Sequence, residues 1–256
     1  MNVIVLTKWV PEPEGTPMLG DDGLLIREGA NGALDPGDEY GLEAALQLVE
    51  AAGDGEITLL TMGPEVAQAA LQRGLAMGAD KGVRITDDSL RGSDSLVTAR
   101  VLAAAIRRQN YDLVIGGVES TDGYTGTVPA AIAELLGHPS LTFARELHLS
   151  DGTLTIERQT VAGYDVVVAP LPVVITVTAG ATEPRYPSLK GVMAAKSKPV
   201  ETLTVADLGL SAEDVTTTQT VTEVSDAPPK RGGETIEADD QTPVRIADLL
   251  AQAKVI

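Results

Sequence analysis

Four short apolar runs, Val3–Leu6, Ile57–Met62, Val83–Ile85 and Leu113–Ile115, recur through the first half of this chain with helical stretches between them. Each is too short for a helix, and near-continuous apolar character suits a strand buried on both faces. Between them, Asp38–Ala52 sets Leu42, Ala45, Leu46 and Val49 on one helical face. A second helix runs from Glu65 to about Met77, opened by Gly63-Pro64 and stopped at Gly78. Asp94–Arg108 reads as a third, with Ser93 as its N-cap, and Val128–Leu136 as a fourth, ended by Gly137. Repeated strand–helix units of this length require an α/β fold: a doubly wound, mostly parallel sheet with right-handed crossovers.

The pattern changes after residue 140. Phe143–Gln159 reads as a hairpin about Ser150-Asp151-Gly152, and Val166–Val168 and Val173–Val177 as further strands. Beyond Pro199 the chain becomes rich in Thr, Asp and Glu. Residues 211–242 lack apolar periodicity and include Pro228-Pro229 and Gly232-Gly233; only Ile246–Val255 regains a helical pattern. The expected division is a body, 1–199, and a C-terminal arm, 200–256. The arm cannot bury a core of its own, so it is either disordered or laid on a partner.

Composition narrows the chemistry. A formal net charge of -18 argues against nucleic acid, which needs a basic footprint, but not against a small nucleotide held by backbone N–H groups. The absence of cysteine excludes disulfides, thiolate metal sites and cysteine nucleophiles, and two histidines, His138 and His148, make a poor metal set. The chain enters a strand at once, with no signal segment, and its most apolar tract, Val166–Val177, is interrupted by Pro170 and Pro172. A soluble, cytoplasmic protein is expected.

In a doubly wound sheet, ligands bind beyond the carboxyl ends of the strands, where strand order reverses. Leu6-Thr7-Lys8-Trp9, Met62-Gly63-Pro64 and the loop Gly116–Thr127 fall at such ends, and Asp35-Pro36-Gly37-Asp38 enters the first helix beside them. The long loop carries four glycines, several hydroxyls, and Thr125-Gly126-Thr127 at a helix start, where free N–H groups and the helix dipole favour phosphate. The alternative is an ordinary Gly-rich loop with a Thr N-cap. Neither a Walker sequence nor Gly-x-Gly-x-x-Gly is present. Asp21-Asp22 and Asp87-Asp88 read as solvated loop acids, His138 as a turn residue, and Trp9 as packing. No Ser/His/Asp set is visible, so no catalytic constellation is expected.

One segment does not read as core. Glu183–Pro199 opens with two prolines that hold it extended, continues into a short helix-compatible run, Leu189–Lys196, and carries Arg185, Lys190, Lys196 and Lys198 on an acidic protein. That is the pattern of a surface built to meet another molecule.

Glu183-Pro184-Arg185-Tyr186, Leu189 and Val192-Met193-Ala194-Ala195-Lys196-Ser197-Lys198-Pro199 resemble the signature of electron transfer flavoprotein β subunits. Val5-Leu6-Thr7-Lys8-Trp9-Val10-Pro11, Asp35-Pro36 ahead of Glu43-Ala44-Ala45, Ala76-Met77-Gly78-Ala79-Asp80 and Asp112-Leu113-Val114-Ile115-Gly116-Gly117 agree with it. The resemblance runs from Met1 to about Leu210, and more loosely through the tail.

The resemblance implies a Rossmann-like fold of the adenine nucleotide α-hydrolase kind, in a heterodimer whose α subunit holds most of the FAD. It implies a non-catalytic electron carrier. AMP sits in the β subunit, flavin dehydrogenases of the acyl-CoA type donate electrons in fatty-acid β-oxidation, and a quinone oxidoreductase accepts them. By position, AMP contacts fall on Leu6, Asp35, Pro36, Gly37, Asp38 and Met62, and on Gly117, Val118, Glu119, Ser120, Thr121, Asp122, Gly123, Tyr124, Thr125, Gly126 and Thr127. Partner contacts fall on Glu183, Pro184, Arg185, Tyr186, Leu189, Met193 and Lys196, with Leu189 as the anchor.

The chain departs from the family pattern at Asp35 and Thr182, where Asn is common, and at Val118-Glu119, where a Lys-Gln pair is common. A bifurcating branch, in which the β subunit holds a second FAD, carries Val-Pro-Asp-Thr where this chain has Val10-Pro11-Glu12-Pro13. Two rivals stand outside the family. An adenylating ligase would need a Ser/Gly-rich phosphate loop after the first strand. A non-redox nucleotide sensor would have no use for Glu183–Pro199.

Overall fold

A computed structural model describes residues 1–12, 18–225, 228, 233 and 235–256. Residues 13–17 of the Pro11–Pro36 loop, and Pro229 and Gly232 of the two pairs, lie outside the described residues. The chain divides into two units, Met1–Val221 and Thr222–Ile256.

In the larger unit, β1 (Asn2–Leu6) leads through a small antiparallel ribbon, β2 (Trp9–Pro11) and β3 (Gly32–Leu34), to helix α1 (Pro36–Ala52). Strand β4 (Glu56–Met62) is followed by a 3₁₀ turn, Glu65–Ala67, and α2 (Gln68–Met77), then β5 (Lys81–Ile85) and α3 (Ser95–Ile106). Next come β6 (Leu113–Gly117), α4 (Val128–Leu136), a meander of β7 (Ser140–Ser150), β8 (Thr153–Thr160) and β9 (Gly163–Pro170), then β10 (Val173–Val177). A short helix, α5 (Leu189–Ala195), and β11 (Val200–Leu203) complete it.

The sheet has nine strands in the order β11-β5-β4-β1-β6-β10-β7-β8-β9. From β11 to β7 every pairing is parallel; β8 and β9 add antiparallel. The chain winds outward from β1 through β4 to β5, then returns to place β6 on the other flank of β1. The reversal of strand order therefore falls between β1 and β6, and their carboxyl ends flank a crevice.

Alternate residues of β1 serve opposite layers. Val3 and Val5 pack with Leu42, Leu46, Leu71 and Leu75 from α1 and α2; Ile4 and Leu6 pack with Val97, Leu102, Ile106 and Ile132 from α3 and α4. At the far end of the sheet, Tyr164, Val166 and Val168 of the edge strand β9 are exposed.

Several expected boundaries move, and for identifiable reasons. Helix α1 starts at Pro36 rather than Asp38, because Asp35 is its N-cap and Pro36 suits the first turn. Helix α3 is capped by Asp94, which accepts from Val97 N at 2.8 Å; Ser93 instead donates to Leu90 O. The Glu65–Met77 stretch opens as 3₁₀ before becoming α-helical. Thr127 stands at the N-cap position of α4 without a side-chain cap bond.

The structural break falls after Val221 rather than Pro199. Strand β11 pairs along β5, and Leu203, Val205 and Val215 are buried with the α3–α4 layer. In the smaller unit, α6 (Thr242–Gln252) is led in by Asp239, which accepts from Gln241 N. Among the described residues no helix is long and apolar enough to cross a membrane.

Candidate functional site

The crevice is closed by hydrogen bonds between segments far apart in sequence. Asp35, fully buried, caps α1 with one carboxylate oxygen on Gly37 N (2.8 Å). Its other oxygen accepts from Thr121 N (2.7 Å) and Thr121 Oγ1 (2.9 Å), tying the helix start to the long loop after β6. Asp38, one turn on, accepts from Lys8 N (2.7 Å) beyond the end of β1. Burial pushes the Asp38 carboxyl well above the usual carboxylate range, the neighbouring Asp35 charge adds to this, and hydrogen bonds from the Lys8 and Gly117 backbone only partly offset it.

At Gly117 the packing is close: a Cβ there would lie 3.1 Å from Asp38 Oδ1 and 3.2 Å from the Gly37 backbone, so the Asp38 side chain and the start of α1 would have to give by a few tenths of an ångström.

A second cluster orders the loop itself. Lys8 Nζ donates to Ser120 Oγ (3.1 Å) and Asp122 Oδ1 (2.6 Å), while Arg27 Nε reaches Asp122 Oδ2 (3.0 Å). Burial alone would raise the Asp122 carboxyl, whose side chain is only 4% exposed; Lys8 and then Arg27 more than offset this and hold it below the usual range. The loop turns sharply at Tyr124, whose φ of 49° is uncommon for a non-glycine residue and is held by its N–H bond to Ser120 O (2.9 Å).

The structure thus gathers the expected crevice residues of α1, β1 and the β6–α4 loop in one place. Leu6 is buried at the end of β1, and Met62, half-buried, ends the adjacent β4. Val118 and Ser120 are half-buried, while Glu119, Gly123, Thr125, Gly126 and Thr127 are exposed along the crevice loop. Arg27 was missed by sequence reasoning: a single arginine in an acidic loop carries no spacing signal. A separate groove of about 640 Å³, lined by Leu48, Leu147 and Leu149 between α1 and the β7–β8 turn, includes no crevice residue.

The other candidates resolve simply. Trp9 is buried in the core, Asp87 caps the 3₁₀ turn at Asp88–Leu90, and His138 pairs with the Tyr111 hydroxyl at 2.9 Å. Among the described residues no group of acids and histidines could hold a metal ion.

The segment 183–199 is built in two layers. Ser188 caps α5 through Gly191 N. Gly191 and Ala195, four residues apart and so on one helical face, turn toward α2: Ala195 is buried, and a Cβ at Gly191 would lie only 2.3 Å from Ala76 O. The opposite side presents Leu189, Val192 and Met193, with Tyr186 just ahead of the helix; Leu189 is 80% exposed and Tyr186 86%.

The four cations expected to form a basic surface divide. Arg185 is engaged with Glu43 and Glu50, and Lys198 Nζ donates to the Leu75 and Ala79 carbonyls. Lys190 and Lys196 remain exposed.

Residues 22–208 match the electron transfer flavoprotein domain family. The chain is 41% identical to an electron transfer flavoprotein subunit beta of Mycobacterium tuberculosis over all of this chain and 99% of that protein. It is 35% identical to one of Bacillus subtilis over the full length of both. It is also 34% identical to the caffeyl-CoA reductase-Etf complex subunit CarD of Acetobacterium woodii, over 91% of this chain and 90% of that one. This chain, with its doubly wound sheet and its 183–199 segment, belongs to the electron transfer flavoprotein β subunits, a family of electron carriers rather than catalysts.

Proposed function

We propose that this chain binds AMP in the β1–β6 crevice and pairs with an α subunit that holds most of the FAD. In this reading the heterodimer works in the cytoplasm. It accepts electrons from flavin dehydrogenases of the acyl-CoA type and delivers them to a quinone oxidoreductase. The observation that carries the nucleotide reading is the pair of buried carboxylates, Asp35 and Asp38, fastening the β6–α4 loop and the end of β1 around the crevice.

The residues present fit an adenosine monophosphate. Because Thr127 leaves α4 without a side-chain cap, the N–H groups of Val128 and Ala130 are available to a phosphate (Pro129 between them carries none), as are the hydroxyls of Ser120, Thr125 and Thr127. Leu6 and Met62 offer apolar surface at the neighbouring strand ends. Both cations of the crevice, Lys8 and Arg27, are already paired with Asp122, so the crevice suits one phosphate better than a chain of them.

FAD supplies the redox chemistry, and this chain supplies orientation and a docking surface. Two features support a large partner. The β9 edge exposes Tyr164, Val166 and Val168, and native sheets cover or charge such edges. Helix α6 carries Val244, Ile246, Leu249 and Leu250 on eleven residues, too few to hold a helix in water unaided. Leu189 would supply the anchor for a donor that must dock and leave.

The similarity to a caffeyl-CoA reductase-Etf subunit favours a second reading, in which this chain holds a second FAD in place of AMP. The reading of the chain as a docking carrier is tested by mixing the purified αβ complex with an acyl-CoA dehydrogenase and its substrate. Bleaching of the flavin absorbance that requires the complex supports it; a complex whose flavin stays oxidised overturns it.

A further inference from the structure

The segment 183–199 is fastened to α1 at two points. Thr182 Oγ1 donates to Tyr40 O at 3.2 Å. Arg185 then grips both carboxylates of the same helix face. Its Nε and Nη2 donate to Glu43 (2.8 and 2.9 Å), its Nη1 and Nη2 to Glu50 (2.6 and 3.2 Å), and its backbone N–H adds a bond to Glu43 at 3.1 Å.

Glu43 and Glu50 lie seven residues apart, two helical turns and roughly 10 Å along the axis. A planar guanidinium with five donors spans that gap; an ammonium, a compact point charge, cannot grip both carboxylates bidentately. The Glu43 side chain is 5% exposed and Glu50 59%, so the clamp has a buried jaw and an open one. Fully committed to two carboxylates, Arg185 has little left to offer an acidic partner.

Accepting that 183–199 docks a donor dehydrogenase, we infer that Arg185 is a positioning residue. It fixes the approach of the segment to α5, and so the presentation of Leu189, without itself meeting the donor.

The test uses the purified αβ complex with Arg185→Met, Arg185→Lys, Glu50→Gln and Leu189→Ala. The readouts are hydrogen exchange across 186–196, and KM and kcat for electron transfer from an acyl-CoA dehydrogenase. Releasing the segment means reordering it at each encounter, so Arg185→Met should raise KM about tenfold, leave kcat unchanged and speed exchange. Arg185→Lys should not rescue it.

Glu50→Gln opens only the exposed jaw, so it folds normally and should give an intermediate shift in both readouts. Leu189→Ala should raise KM with exchange unchanged. If Leu189→Ala leaves KM at the parent value, the docking reading itself fails. If Leu189→Ala raises KM while Arg185→Met and Glu50→Gln leave KM and exchange alone, the clamp fails and docking stands. A raised KM for Arg185→Met with unchanged exchange would make Arg185 a direct contact and overturn the inference.

Discussion

Replacing Asp35 by alanine should loosen the crevice more than any other single change within it. Three donors lose their acceptor at once. The N-cap bond to Gly37 N contributes about 1 kcal/mol to a helix of this kind. The bonds from Thr121 N and Oγ1 go to a charged acceptor, and losing such a bond costs roughly 1.5–3 kcal/mol. Thr121 is exposed, so water can recover part of this, and the low end applies.

Relief of the repulsion with Asp38 returns a little more. The net expectation is about 3 kcal/mol, or roughly 6–12 °C in Tm for a unit of this size. Asparagine keeps one acceptor oxygen for the Gly37 cap but puts an NH2 where Thr121 N needs an acceptor, so Asp35→Asn should recover only the cap, about 1 kcal/mol, and stay roughly 2 kcal/mol below the parent. Thermal unfolding of the three purified proteins measures both. If asparagine proves as stable as the parent, the Thr121 bonds contribute nothing and the loop is not held in this way.

Two further outcomes follow from particular groups. The raised Asp38 carboxyl holds its proton more tightly folded than unfolded, so its contribution is greatest below the unfolded pKa of about 3.9 and is lost as pH rises through the folded value. The stability of Asp38→Asn relative to the parent should therefore climb as pH rises from 4 toward neutrality, and a pH-independent difference in denaturant midpoints would contradict this. Alanine normally improves a helix interior by up to about 1 kcal/mol over glycine, but a Cβ at Gly191 meets the Ala76 carbonyl, so Gly191→Ala should instead lift α5 and speed amide exchange over 189–195; slower exchange there would refute the packing.

The parallel strands were legible because both faces are buried: Val3 to Leu6 and Leu113 to Ile115 have no polar side to hide. Helix starts were legible only to within a residue or two, since Asp35 and Asp38, or Ser93 and Asp94, all have side chains able to cap and only geometry chooses among them. Strand β11 was not legible. Of Val200–Leu203 only Leu203 is buried, and its partner β5 lies more than a hundred residues earlier.

The crevice segments could be named because the strand-end rule depends on topology alone. The bonds that close it could not, because Asp35–Thr121 and Arg27–Asp122 join residues 86 and 95 positions apart and leave no periodic trace. The 183–199 segment announced itself through its prolines and cations. Which cations turn inward was decided by Glu43 and Glu50, on a helix 135 residues or more away.

Denaturing the purified αβ complex and quantifying what it releases measures whether this chain holds a nucleotide within a flavin carrier. One AMP and one FAD per heterodimer are expected, with AMP diminished in Asp35→Ala and FAD retained. Two FAD and no AMP, or no adenine nucleotide beyond the single FAD, would contradict this expectation.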